Sequence, residues 1–153
     1  MDINQTLLDQ GCLELERYHL TDKVVTLVQS DDFDFSALGQ RFQFALAQSL
    51  FTHLPLNSII SCLKKMEKAL ADGGQFYATF FENKEGKNNL EPIKHPSIDH
   101  IGLESYFDRD PYHYDFGTFE WICDGTSLEA KYIGDWQHPR DQKMMVFTKA
   151  SPS

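Results

Sequence analysis

RFQFALAQSLFTHLPLNSIISCLKKMEKALADGGQFYATFFE, residues 41–82, is the stretch that decides the fold. Phe42, Phe44, Leu46 and Ala47 form an apolar run that stops at the polar pair Gln48 and Ser49. A strand apolar on both faces belongs in a parallel sheet covered by helices. The spacing then becomes helical, with Ile59, Ile60, Leu63, Met66 and Leu70 on one face and Lys64, Lys65, Glu67 and Lys68 on the other. Asn57 or Ser58 is the expected cap, and the Gly73-Gly74 pair the expected end. A second apolar strand, 76–81, follows at once. Together they predict one βαβ unit with a right-handed crossover.

The residues before this unit predict a helix and a strand. Asn4 is a good helix cap, and Leu7, Leu8, Cys12 and Leu15 mark one helical face up to about His19. Gly11 weakens that helix by roughly 1 kcal/mol relative to Ala. Residues 24–28, Val-Val-Thr-Leu-Val, read as a β-branched strand that ends at Ser30-Asp31-Asp32-Phe33. Residues 34–40 make a short connection of one helical turn.

Beyond Glu82 the periodicity is lost. Residues 83–114 are rich in Asn, Lys, His, Asp and Pro and too long for a plain connection, so they are expected to form a lid or substrate loop. A short helix is expected within 97–107 and another over 116–123, with Gly125 as its stop. Leu128, Ala130 and Tyr132 alternate with Glu129 and Lys131, which predicts a strand. Residues 144–148 supply the last strand. The turn Gln137-His138-Pro139-Arg140-Asp141 between them predicts an antiparallel hairpin. Residues 1–149 thus form one domain, and 150–153 a frayed tail.

Composition narrows the function. A chain of 153 residues is large enough for one domain with its own core. Its net charge of −9, from 14 basic and 23 acidic residues, argues against nucleic acid or an anionic membrane as partner. No apolar run approaches the roughly 20 residues of a membrane span. The N-terminus has no signal-peptide pattern. Cys12, Cys62 and Cys123 are odd in number, widely spaced and free of CxxC, as expected of buried thiols in a reducing cytoplasm.

Four segments carry a resemblance: Ala47-Gln48-Ser49, Phe51-Thr52-His53-Leu54-Pro55, Leu70-Ala71-Asp72-Gly73-Gly74 and Phe76-Tyr77-Ala78-Thr79-Phe80-Phe81. In this order and spacing the chain resembles the second half of a class I S-adenosylmethionine-dependent methyltransferase, most of all the small-molecule type 11 and type 12 groups. The resemblance implies an α/β, Rossmann-like sheet, mostly parallel, with a C-terminal antiparallel hairpin. It implies S-adenosylmethionine as cofactor and a small-molecule methyl acceptor. The family's glycine-rich E/D-x-G-x-G-x-G loop has no counterpart here, so the chain resembles the fold truncated by its first strand and helix. Weak donor binding, and self-association through the exposed edge of 42–48, are the matching expectations. The alternative is a non-catalytic remnant, serving as an interaction module or as one half of a split enzyme.

In open α/β sheets ligands bind beyond the carboxyl ends of the strands. By resemblance, Asp2, with Ile3 beside it, accepts the ribose hydroxyls, Asp31 and Asp32 lie at the adenine amino group, and Phe33 lies against the ring. Gln48 and Ser49 lie near the methionine part and the methyl. The alternatives are a disordered terminus for Asp2, a solvated turn for Asp31 and Asp32, and ordinary strand termination for Gln48 and Ser49. His53 is a catalytic candidate facing the substrate, or else structural. Arg140 is a candidate partner for a substrate carboxylate, or only part of a turn. His95, His100, His113 and His138 with Asp99, Asp108 and Asp110 raise the question of a metal, but their spacings match no HExxH or compact zinc pattern. No GxSxG is present, so Ser49 lacks the elbow of a hydrolase nucleophile.

Overall fold

Asn4 starts the first helix, as its side chain predicts. Its Oδ1 accepts from the backbone N–H of Thr6 at 2.9 Å and from that of Leu7 at 3.4 Å, which caps α1, Gln5–Arg17. The structure, a computed structural model, describes residues 1–84, 90–98 and 101–151. Only Leu8 of α1 is buried, and Cys12 is exposed, which corrects the expectation of a buried thiol there, whereas Cys62 and Cys123 are buried. Residues 24–28 run extended beside α1 but form no ladder, which corrects the expected strand there. Among the described residues the backbone of this segment pairs with Asp2 alone: Asp2 N–H donates to Val28 O, and Ser30 N–H donates to Asp2 O, each at 3.1 Å. That single parallel bridge pairs Asp2 with Gln29. A β-branched run becomes a strand only against a neighbour, and Val24 here is fully exposed.

Residues 34–40 hold one 3-10 turn, Phe35–Leu38, capped by Asp34. Strand β1, Phe42–Ala47, then leads through a 3-10 turn, Phe51–His53, to α2, Leu56–Ala69. The N-cap of α2 is Pro55, with no side-chain cap bond, so neither Asn57 nor Ser58 caps it. Strand β2, Leu70–Glu82, starts directly after α2 and pairs parallel with β1. The Gly73-Gly74 pair therefore lies inside β2 rather than ending the helix. The register slips there, from Phe42 opposite Leu70 to Phe44 opposite Gln75. Gly73 has φ +74°, and a Cβ on Gly74 would stand 2.7 Å from Phe42 O and 2.8 Å from Ala71 O. Only glycine fits that approach.

The expected helix within 97–107 is also corrected. Strands β3, Ile93–Ile98, and β4, Ile101–Ser105, form an antiparallel hairpin that pairs His95 with Leu103 and Lys94 with Glu104. Leu103 and Ser105 alternate with Glu104 there, the period of a strand and not of a helix. A short strand β5, His113–Tyr114, joins β2 in parallel. Helix α3, Phe116–Cys123, follows, capped by Asp115, with Gly125 beyond it at φ +74°. Strands β6, Leu128–Asp135, and β7, Lys143–Lys149, form the antiparallel hairpin. Strand β7 inserts beside β2, giving the order β1-β2-β7-β6. The fold is α/β, a Rossmann-like sheet with a parallel portion and a C-terminal antiparallel hairpin.

Helices α2 and α3 supply core residues with one face of the sheet. Phe51, Phe76, Phe80, Phe119 and Phe147 are all buried there with Ile59, Leu63 and Met145. Their rings touch edge-on and stacked, with centroids 5.0 to 6.3 Å apart. On the opposite face of β1, Phe44 and Leu46 stay exposed at 70% and 64%. Among the described residues β1 pairs with β2 alone, so its other edge is open.

Candidate functional site

Two cavities share one residue, Ser49, just beyond the end of β1. The larger, about 550 Å³, runs along the open edge of β1 beneath the N-terminal segment. Asp2, Ile3, Asp31, Phe33, Gln48 and Ser49 all line it. Six of the seven residues expected to hold a donor are therefore brought together. Asp32 is the exception. Its carboxylate accepts from the Ser30 hydroxyl at 3.0 Å, from Asp34 N–H at 3.1 Å and from Lys65 of α2 at 3.3 Å. The Ser30 hydroxyl first, and then Lys65, hold that carboxyl below its ordinary pKa. Asp32 ties the loop to α2 while Asp31 faces the cavity.

Backbone strain marks both walls of this cavity. Phe33 has φ +59° and Ser49 φ +55°, a left-handed conformation costing on the order of 1–3 kcal/mol for a non-glycine residue. At Ser49 the surroundings hold the geometry. Its N–H donates to Thr79 Oγ1 at 2.7 Å, and its hydroxyl donates to Gln142 Oε1 at 3.1 Å. Thr79 Oγ1 in turn donates to the same Gln142 oxygen at 2.8 Å, and Thr52 Oγ1 to Ser49 O at 2.9 Å. Thr52, Thr79 and Gln142 are buried. Sequence reasoning missed Thr79 and Gln142, although Thr79 carried a signal as the hydroxyl within an otherwise apolar strand.

The smaller cavity, about 220 Å³, lies on the other side of Ser49. His53, Arg140, His138, Phe81 and Leu103 line it. Tyr112 N–H donates to Thr52 O at 2.7 Å, which holds the segment after β4 against the 3-10 turn. As a result His53 Nδ1 and Asp110 Oδ1 meet at 2.6 Å, both side chains 58% exposed. His138 Nδ1 accepts from Arg140 N–H at 3.2 Å, and burial, then the Arg140 charge, lower its pKa.

The β3–β4 hairpin forms one wall. Leu103 faces the cavity, and His95 stacks on Phe81 with ring centroids 3.9 Å apart. His95 Nε2 bonds Ser105 Oγ at 2.7 Å, and that hydroxyl also meets His113 Nδ1 at 3.1 Å. Burial pushes His95 down to about 4. Among the described residues no group of three His, Cys, Asp or Glu could hold a metal. Of the residues that raised that question, Asp99 and His100 lie outside the described residues. No described helix is long and apolar enough to cross a membrane.

The larger cavity offers two carboxylates, an aromatic ring and apolar walls. Among the described residues no lysine, arginine or glycine lines it. That set suits a ligand with a flat ring, donor hydroxyls and positive charge. The smaller cavity pairs an imidazole–carboxylate couple with a guanidinium, which suits acid–base work on an anionic partner.

No protein-family model matches the chain, and no curated protein resembles it significantly. Solved structures do. An S-adenosylmethionine-dependent methyltransferase from Clostridium acetobutylicum aligns over 98% of this chain and 73% of its own, with TM-score 0.65 and 9% identity. The CcbJ methyltransferase of Streptomyces caelestis aligns over 96% and 77%, with TM-score 0.67 and 11% identity. An amino pentose methyltransferase from Micromonospora echinaspora, solved with S-adenosylmethionine bound, aligns over 92% and 71%, with TM-score 0.61 and 14% identity. At these identities the likeness is one of fold.

Proposed function

We propose that this chain, which has the class I S-adenosylmethionine-dependent methyltransferase fold, holds S-adenosylmethionine in the larger cavity and a small acceptor in the smaller one. The observation that carries the reading is Ser49, which lines both cavities just beyond the carboxyl end of β1. Ligands of open α/β sheets sit at such strand ends. The lining fits the adenosine part of the donor: Asp2 for ribose hydroxyls, Asp31 for the adenine amino group, Phe33 and Ile3 for the ring. The same carboxylates suit the donor's positive charge.

When bound, S-adenosylmethionine supplies a methyl group on a cationic sulfur. The chain's residues then have the work of orientation and water exclusion, which is most of what an in-line displacement needs. Ser49, fixed by Thr79, Gln142 and Thr52, is the residue that the two cavities share. Leu103 and Phe81 keep one wall of the acceptor side apolar. The test is amide-resolved NMR during titration with S-adenosylhomocysteine. Shifts at Asp2, Asp31, Phe33 and Ser49 support the reading, and shifts confined to other surfaces, or none, overturn it.

A second reading is a module that pairs with another chain, catalytically silent or half of a split enzyme. The exposed Phe44 and Leu46 on the open edge of β1 favour it. Light scattering during the same titration separates the two.

A further inference from the structure

Among the described residues Arg140 is the only lysine or arginine lining the smaller cavity, and it makes no ion pair with them. The other nearby cations are engaged: Lys143 is held by Asp141 and Asp135, and Arg109 lies 4.0 Å over the Tyr106 ring. A cation facing a cavity without a partner calls for an anion, and a guanidinium matches a carboxylate fork to fork. The same charge disfavours an ammonium-bearing acceptor. Opposite polar demands meet at His53. When Nδ1–H of a neutral imidazole donates to Asp110 Oδ1, Nε2 is the nitrogen left to accept a proton, the arrangement of a general base. At about 220 Å³ the space is below the range of drug-sized ligand pockets, and Phe81 and Leu103 give it an apolar wall.

We propose that the smaller cavity takes a small hydroxy acid, its carboxylate paired with Arg140 and its hydroxyl deprotonated by His53, which Asp110 orients. This deepens the methyltransferase reading and rests on it for the transfer step. The proton leaves the acceptor oxygen for His53 Nε2, and an electron pair on that oxygen forms the new O–CH3 bond. The bond from that methyl to sulfur breaks with its pair left on sulfur, and His53 returns the proton to water. His53 is the catalytic residue. Asp110 is a positioning residue and Arg140 selects the acceptor.

The probes are a panel of hydroxybenzoates and short hydroxyalkanoates, each compared with its uncharged amide. They are titrated by NMR into the chain with and without S-adenosylhomocysteine. At least one acid should shift the Arg140 and His53 side-chain resonances and bind at least tenfold more tightly than its amide. Arg140→Gln should abolish that preference, and this exposed substitution leaves the fold intact. In transfer assays with the acid that binds, His53→Asn should lower kcat by about 100-fold or more with little change in KM. Asp110→Asn should lower kcat less, again with little change in KM. Acids and amides binding alike, Arg140→Gln changing nothing, or no acid binding would overturn the proposal. Acid binding through Arg140 with no response to S-adenosylhomocysteine would instead overturn the donor site and leave the acid site standing.

Discussion

His95 couples the hairpin wall of the acceptor cavity to pH. Its ring is half-buried against Phe81 and bonded to Ser105, and that burial, then the nearby His113, lower its pKa to about 4 against the opposing charge of Asp141. An unfolded chain would protonate it near 6.5. Between those values the unfolded chain binds more protons than the folded one, so stability is full above about 6.5 and falls as pH drops toward 4. Urea midpoints should therefore decline over that window, and His95→Leu should flatten the decline. An unchanged slope in the variant would remove His95 as its source. Local chemistry of this kind was partly legible. Asn4 capped its helix because a cap needs only its own next residues. The pairing of His53 with Asp110 was hidden, because the partners lie 57 positions apart. Gln142, 93 positions from Ser49, was hidden for the same reason.

At the scale of elements, the bulge of β2 is where sequence and structure differ most instructively. A glycine pair after an amphipathic helix signals a helix end, yet here the helix stops four residues earlier and the pair lets β2 pass close to β1. A Cβ at Gly74 meets two backbone oxygens that have no freedom to withdraw. Gly74→Ala should cost about 1–3 kcal/mol of stability by overpacking, read from denaturant midpoints. A neutral result would mean that β1 and β2 separate more readily than their ladder suggests. The strand expected at 24–28 and the helix expected within 97–107 failed for a related reason. Strand formation depends on a neighbour that propensity does not see: residues 24–28 find only Asp2, whereas 101–105 find β3. The βαβ unit at 42–82 and the C-terminal hairpin were legible because each carries its own partner nearby.

At the scale of the whole molecule, the open edge of β1 and the larger cavity are two aspects of one feature. The same edge that leaves Phe44 and Leu46 in water leaves room for a ligand between β1 and the N-terminal segment. Paired with a second chain, that edge would gain backbone bonds and cover apolar surface. If the edge pairs with a second copy, light scattering will show concentration-dependent association, and Phe44→Lys will suppress it by placing a charge on the edge. A monodisperse chain at high concentration would count against edge pairing and strengthen the assignment of the space to a ligand. Calorimetric titration with S-adenosylhomocysteine tests most directly whether this space is the methyl-donor site with Asp31 at the adenine. Saturable binding is expected, and Asp31→Ala should weaken it by about 1–3 kcal/mol through loss of a charge-assisted hydrogen bond. No binding heat with the unmodified chain, or the same affinity in Asp31→Ala, would contradict that assignment.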